Sequence, residues 1–255
     1  MALMEETRSS RQNNRERRSL LVRRSATAPE RKPAQTLTIG KHSVRLPAPP
    51  SPIAMAVYEP SKRVMDITLA ATLLLLLFPV FVAVALAIWC EDRGKIFYYQ
   101  TRVGRNGVHF HFFKFRSMVP NADQLKDTLM AQNQAGDVIF KMENDPRITR
   151  IGRFIRRYSI DELPQLVNVL KGDMSLVGPR PHLPREVAKY TPLQAERLSV
   201  QPGLLCLREV FGRSKMNFEE WINMDLIYIQ HRSFATDTMI LLRTIPAVLM
   251  AEGAY

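Results

Sequence analysis

Two adjacent carboxylates, Asp161 and Glu162, stand inside a stretch that reads RFIRRYSIDELPQLVNVLKGDMSLVGPRP from Arg153 to Pro181. Arg153, Arg156 and Arg157 precede them, and Gly-Pro-Arg-Pro, with Pro179 and Arg180, closes the stretch. Guanidinium is the side chain best suited to bidentate phosphate recognition. A carboxylate among such groups can stay anionic and attack phosphorus while the arginines hold the phosphoryl oxygens, so covalent phosphoryl transfer is open to this pattern. Taken alone, an Asp-Glu pair at a helix start is more often a cap, and an Arg-rich surface can be a solvated face or a lipid-headgroup contact. The carboxylates argue against a role in anion binding alone.

The elements around the pair must place it. Leu163, Leu166, Val167 and Leu170 fall on one face of a helix, which Gly172 stops, with Lys171 in the last turn. A capping box of Ser159 and Glu162 would set Pro164 where its ring disturbs the ladder. Asp161 as the cap sets Pro164 in the first turn, where an N–H is unpaired anyway. That start puts both carboxylates at a helix N-terminus, where the macrodipole favours anions.

Upstream, KIFYYQTRVGRNGVHFHFFKFRSM predicts short strands joined by a turn at Arg105-Asn106-Gly107. Residues 121–133 look helical and polar, and DPRIT at 145–149 is a turn. Helical patterns follow at 163–171, 184–199 and Phe218 to His231. The apolar run from Thr238 to Met250 contains Arg243 and Pro246 and is too short to span a bilayer, so it lies in the interface or closes the core. His109 and His111 alternate with phenylalanine, as on one strand face, and Cys90 and Cys206 show no metal-ligand spacing.

From Val64 to Cys90 the chain is apolar except for Asp66, long enough to cross a hydrocarbon layer of roughly 30 Å. Pro79 breaks this run, and basic residues flank it on both sides: Lys62 and Arg63 before, Arg93, Lys95, Arg102 and Arg105 after. Lys and Arg mark the cytosolic side, so basic flanks at both ends suit a re-entrant helix, while a proline is also tolerated in a spanning one. The residues alone leave both open.

The 255 residues carry a net charge of +12, and residues 1–57 hold 11 Lys and Arg against 4 acidic residues, +7 of that excess. This Arg-, Ser- and Pro-rich segment is expected to be largely disordered, as a linker or a contact with anionic lipid. Nothing downstream resembles a nucleic-acid module, and no apolar segment follows the first arginines as in a signal peptide.

A basic pair before a proline-broken apolar segment, QTRVGRNG, FKFRSM, and DPRITRIGRFIRRYSIDELPQLVNVLKGDMSLVGPRP together closely resemble the bacterial sugar transferase family over roughly residues 58–250. These are the monotopic phosphoglycosyl transferases that begin polysaccharide assembly. The resemblance implies an α+β fold, a helix-rich small cytosolic domain with a short β-hairpin, anchored by a re-entrant membrane helix broken at Pro79. It divides the chain into a basic tail (1–57), a membrane-inserted helix (58–92) and a catalytic domain (93–255). It implies transfer of sugar 1-phosphate from a nucleoside diphosphate sugar, usually a UDP-sugar, to undecaprenyl phosphate at the bacterial cytoplasmic membrane, on its cytoplasmic face. Asp161 would be the nucleophile, forming a covalent phosphosugar intermediate. Glu162 would serve metal or proton handling, with Mg²⁺ required at Asp161 and Glu162. Lys114 or Arg116, Arg156, Pro179 and Arg180 would contact phosphates, and Asp225 would lie near nucleotide or metal. Membrane lipids, and a homo-oligomer or polysaccharide-assembly partner, are the remaining expected contacts.

Two departures stand out. Phe78 occupies the position before the proline where the family usually has serine, and QPGLLCLREVFGRSKM replaces the family's usual Trp-Gln segment, so donor specificity does not transfer. A non-catalytic membrane adaptor and a lipid diphosphate hydrolase are the competing functions.

Overall fold

The computed structural model describes residues 34–39, 42–122, 124–125, 142, 145–211 and 218–249. The apolar segment forms two helices, α1 (Pro52–Leu76) and α2 (Phe78–Asp92), bent by 59° where they meet at Leu77. Pro79 has no N–H to return to the preceding turn and its ring crowds that turn, so the ladder ends ahead of it rather than at the proline itself. Each limb keeps its own bonds up to the break: the Leu77 N–H donates to Leu73 at 2.9 Å, and the Phe81 N–H to Leu77 at 3.0 Å. Neither helix alone is long and apolar enough to cross a membrane. Both carry an exposed apolar face, with Ile67, Leu73 and Leu76 on α1 and Phe78, Leu86 and Trp89 on α2.

Part of the segment expected to be a disordered tail is ordered. Strands β1 (Gln35–Ile39) and β2 (His42–Leu46) pair antiparallel, and Val44 and Leu46 enter the main core. The short apolar alternation of these strands is hidden by the polar and proline-rich composition around it. The first helix also begins earlier than expected, at Pro52, because the Ser51 hydroxyl accepts from the Ala54 N–H at 3.2 Å and a proline suits the first helical position. Residues 1–33 lie outside the described residues, as does most of the helical pattern expected at 121–133.

The expected hairpin is present: β3 (Phe97–Val103) pairs antiparallel with β4 (His109–Phe115). Its turn runs Arg105–Gly107, with Asn106 at φ 55° and Gly107 at φ 80°, the conformation that Asn-Gly supplies at low cost. On β4, Phe110 and Phe112 face the main core, whereas Phe115 joins a second cluster with Val84 and Ile88 of α2. That cluster is completed by Ile155 of α3 (Arg150–Arg157), whose N-terminus is capped by Thr149 and by Glu91 at the end of α2.

Helix α4 (Gln165–Lys171) ends at Gly172, φ 90°, as its glycine stop predicts. Two short strands then pair in parallel, β5 (Ser175–Val177) with β6 (Gly203–Leu205), a feature the sequence did not announce. The expected helix at 184–199 is instead broken into a turn at Pro184–Val187 and a second start at Pro192–Ala195 that runs directly into a 3₁₀ turn, Glu196–Ser199. Pro192 cannot continue a preceding helix, and the Thr191 side chain caps a new start, accepting from the Gln194 N–H at 3.3 Å. Helices α5 (Phe218–His231) and α6 (Phe234–Leu249) are the last described elements, and Ile240 of α6 is fully buried, so the last apolar run closes the core. The whole is a helix-rich α+β arrangement whose described strands form three two-stranded sheets.

Candidate active site

The carboxylate pair lies in a single 3₁₀ turn, Ile160–Glu162, one step ahead of α4, with Pro164 rather than Asp161 at the helix boundary. Ser159 enters this turn in the left-handed region, φ 55°, which redirects the chain between α3 and the carboxylate pair. The apolar face expected on α4 is also rotated. Gln165, Leu166, Asn168 and Val169 are buried, while Val167 is 38% exposed. Asn168 explains the rotation: its side chain accepts from the Phe113 N–H at 3.1 Å and donates to the His111 carbonyl at 2.7 Å, locking α4 to β4.

That lock brings Lys114 to the pair. Its ammonium lies 2.7 Å from Glu162 Oε1 and 3.5 Å from Asp161 Oδ2. From the other side Arg180 forks onto Glu162, with Nη1 donating to Oε2 at 3.1 Å and Nη2 donating to Oε1. The Arg180 guanidinium also lies 3.8 Å from Glu209 Oε1. Asp161 is buried, and Lys114 is its one charged partner within ion-pair distance among the described residues.

The two carboxyls therefore titrate apart. Burial pushes Asp161 above its usual range, with Glu162 adding to that and Lys114 opposing it. Burial also acts against the Glu162 anion, but Arg180 and Lys114 outweigh it and hold this carboxyl well below the usual range. Adjacent groups set apart in this way can take different roles in one reaction. Arg156 contributes field at Asp161 without an ion pair to it. Burial, with Arg180 nearby, lowers Arg102 to about 10.

The remaining expected residues are placed elsewhere. Arg116 pairs with Asp92 at the end of α2. Pro179 is buried, and its carbonyl accepts from the Gly203 N–H at 2.9 Å. Asp225 is buried on α5 against Arg197, whose Nη2 also donates to the Arg180 carbonyl at 2.7 Å, so Asp225 stands one residue behind the arginine arm. Glu209 and Arg102 were not foreseen. Glu209 falls in the stretch that departs from the family pattern, and Arg102 was read only as a basic flank.

A divalent cation has limited protein ligands here. Among the described residues no cluster of three His, Cys, Asp or Glu side chains forms, and Glu162 is already committed to two cations. Asp161 supplies a hard oxygen donor. This suits an ion such as Mg²⁺, which binds through one or two carboxylates plus substrate phosphates rather than in an all-protein cage.

The sequence model of bacterial sugar transferases matches residues 57–251. The chain is 47% identical over 195 residues to the galactosyl transferase CpsE of Streptococcus agalactiae, covering 76% of this chain but only 43% of CpsE. It is 37% identical over 199 residues to the exopolysaccharide production protein ExoY of Sinorhizobium fredii, covering 76% of this chain and 88% of ExoY. With the UDP-glucose:undecaprenyl-phosphate glucose-1-phosphate transferase of Caulobacter vibrioides it shares 38% identity over 215 residues, 81% of this chain and 76% of that enzyme. The chain belongs to the bacterial sugar transferase family.

Proposed function

We propose that this chain is a phosphoglycosyl transferase that moves sugar 1-phosphate from a UDP-sugar to undecaprenyl phosphate at the cytoplasmic face of a bacterial membrane. The observation that carries the reading is a buried Asp161 left with one lysine, beside a Glu162 held by two cations. The family match and the substrates named for the Caulobacter relative support it.

In this reading an Asp161 oxygen attacks the sugar-bearing phosphorus. The bond between that phosphorus and the bridging oxygen breaks, and UMP leaves with the bridging electrons. A phosphate oxygen of undecaprenyl phosphate then attacks the aspartyl phosphosugar, releasing undecaprenyl diphosphate sugar and restoring the carboxylate. The raised affinity of Asp161 for a proton also marks a more basic nucleophile. Lys114 and Arg180, fixed by Glu162, offset the repulsion between this carboxylate and an anionic donor. Asp161 and Glu162, together with donor phosphates, would hold Mg²⁺, which would supply further neutralisation of phosphate charge.

The bent helix pair is the membrane anchor in this reading. The second limb, α2, is about 22 Å long, less than the roughly 30 Å hydrocarbon layer, and a 59° bend with basic flanks at both ends suits entry and return on one side. The test is incubation of purified protein with a panel of UDP-sugars, with and without acceptor. UMP in one-to-one burst with a phosphosugar adduct on Asp161 is expected. Multiple-turnover release of free sugar phosphate without acceptor would establish the hydrolase instead, and no UMP with any donor would favour the adaptor.

A further inference from the structure

Asp237 is fully buried in the first turn of α6 and touches no residue of the carboxylate site. Its Oδ2 accepts from the Tyr58 hydroxyl at 2.7 Å and from Lys62 Nζ at 2.6 Å, both on α1. Its Oδ1 accepts from the Tyr228 hydroxyl at 2.8 Å, and that hydroxyl also lies 3.0 Å from the Val177 carbonyl. Lys62 reaches on to Asp66 at 3.9 Å, and Asp66 Oδ1 accepts from the Leu176 N–H at 3.1 Å. Two consecutive residues of β5 are thus each tied to a side chain of one buried polar cluster. The strand runs directly into Gly178, Pro179 and Arg180.

Apolar side chains would dock α1 against α6 at lower desolvation cost than two carboxylates and an ammonium. What the charged cluster adds is direction, since each bond has one geometry and removing a partner leaves a buried charge. Helix α1 grips the other arm of the site as well. Arg63 donates to the Val169 and Leu170 carbonyls at 2.6 and 2.9 Å, closing the end of α4, the helix that follows Asp161 and Glu162. A single helix therefore holds both the strand leading to Arg180 and the helix trailing the carboxylates.

We infer that Asp237 is a positioning residue: through Lys62, Asp66 and Tyr228 it fixes β5, and so sets where Arg180 meets Glu162. Only the kinetic arm of its test rests on the transferase reading. The full chain in detergent is compared with its Asp237→Asn and Tyr228→Phe variants, the second removing one hydroxyl in case the first does not fold. Amide exchange at Leu176 and at Gly178, whose N–H donates to Leu205 at 2.9 Å, is expected to quicken about tenfold, with α3, which carries no residue of the cluster, unchanged. With a donor that the wild type uses, kcat is expected to fall about tenfold or more, in keeping with small misplacements of catalytic groups. In an Arg180→Lys background the same substitutions should cost little further, because the two act through one contact. Unchanged exchange at Leu176 and Gly178, or losses that multiply fully in the Arg180→Lys background, would overturn the inference. If the wild type releases UMP from no donor, the transferase reading falls and exchange alone decides the role of Asp237.

Discussion

Glu162 faces Arg180 with both carboxylate oxygens, which leaves the neighbouring Asp161 to the single ammonium of Lys114. Two residues with like chemistry, one position apart, thereby acquire opposite electrostatic fates. Glu162 becomes a fixed counter-ion between Arg180 and Lys114, and Asp161 is left as the group that the proposed function makes reactive.

The sharpest consequence concerns Asp161 itself. Asp161→Asn keeps the volume and removes the anion, so UMP release and acceptor-dependent product are expected to fall on the order of 10³-fold or more, as for loss of a covalent nucleophile. Circular dichroism and the melting profile should stay close to wild type. Near-normal turnover in this variant would end the covalent reading.

The split titration has a pH signature. Asp161 binds its proton more tightly in the folded state than its ordinary value of 3.8, so the acid limb of kcat/KM should lie above that value. Lys114→Met removes the cation that opposes the shift and is expected to move the limb further up. For stability the two groups act in opposite directions. The raised Asp161 favours the fold below 3.8 and loses that contribution as pH rises through its folded value. The depressed Glu162 favours it above 4.5 and loses it as pH falls through its folded value. Rate profiles of the two proteins from pH 4 to 9 check the first point, and an acid limb that Lys114→Met leaves in place would count against it.

Strand β5 meets β6 where a side chain does not fit. A Cβ on Gly203 would come 2.0 Å from the Gly178 nitrogen. Gly203→Ala must push the strands apart, at a cost of about 1–3 kcal/mol for overpacking. Because Gly178 precedes Pro179 and Arg180, turnover should fall further than the urea midpoint implies. Unaltered midpoint and turnover together would show that the strands separate freely.

The proposed anchor predicts sidedness. Ser51 caps the start of α1 and Ser117 follows β4, on either side of the bent pair. With Ser51→Cys and Ser117→Cys in a background without Cys90 and Cys206, both positions should react with a membrane-impermeant maleimide only after cells are opened. Opposite accessibility of the two would establish a spanning helix.

Much of this arrangement was legible because local signals agreed. Asn106-Gly107 marked the hairpin turn, Gly172 marked the end of α4, and Phe218 to His231 carried an uninterrupted helical pattern. What the sequence hid depended on partners far along the chain. Asn168 turns α4 by bonding β4 across more than 50 residues, and no helical periodicity records a hydrogen bond to another strand. The β1 and β2 strands are short and set in a polar, proline-rich segment, yet Arg243 of α6 donates to the Ser43 carbonyl at 3.1 Å. At the site, the Asp161-Glu162 pair was plain from residue types, but which carboxylate would be gripped was not. That depended on Arg180 arriving from β5, and on Glu209, whose segment departs from the family pattern.

The pairing of Asp92 with Arg116 fixes a distance as well as a contact. Arg116 reaches the end of α2 and Lys114 reaches Asp161, from Cα positions about 7 Å apart along an extended chain. In the proposed reading, with the bent pair in a bilayer, α2 would leave the hydrocarbon near Asp92, and Asp161 would stand close to the lipid boundary. On the proposed function, the acceptor phosphate would be reached while its polyprenyl chain stays dissolved in the membrane, and the chain would work as a gauge of depth rather than as an extractor of lipid.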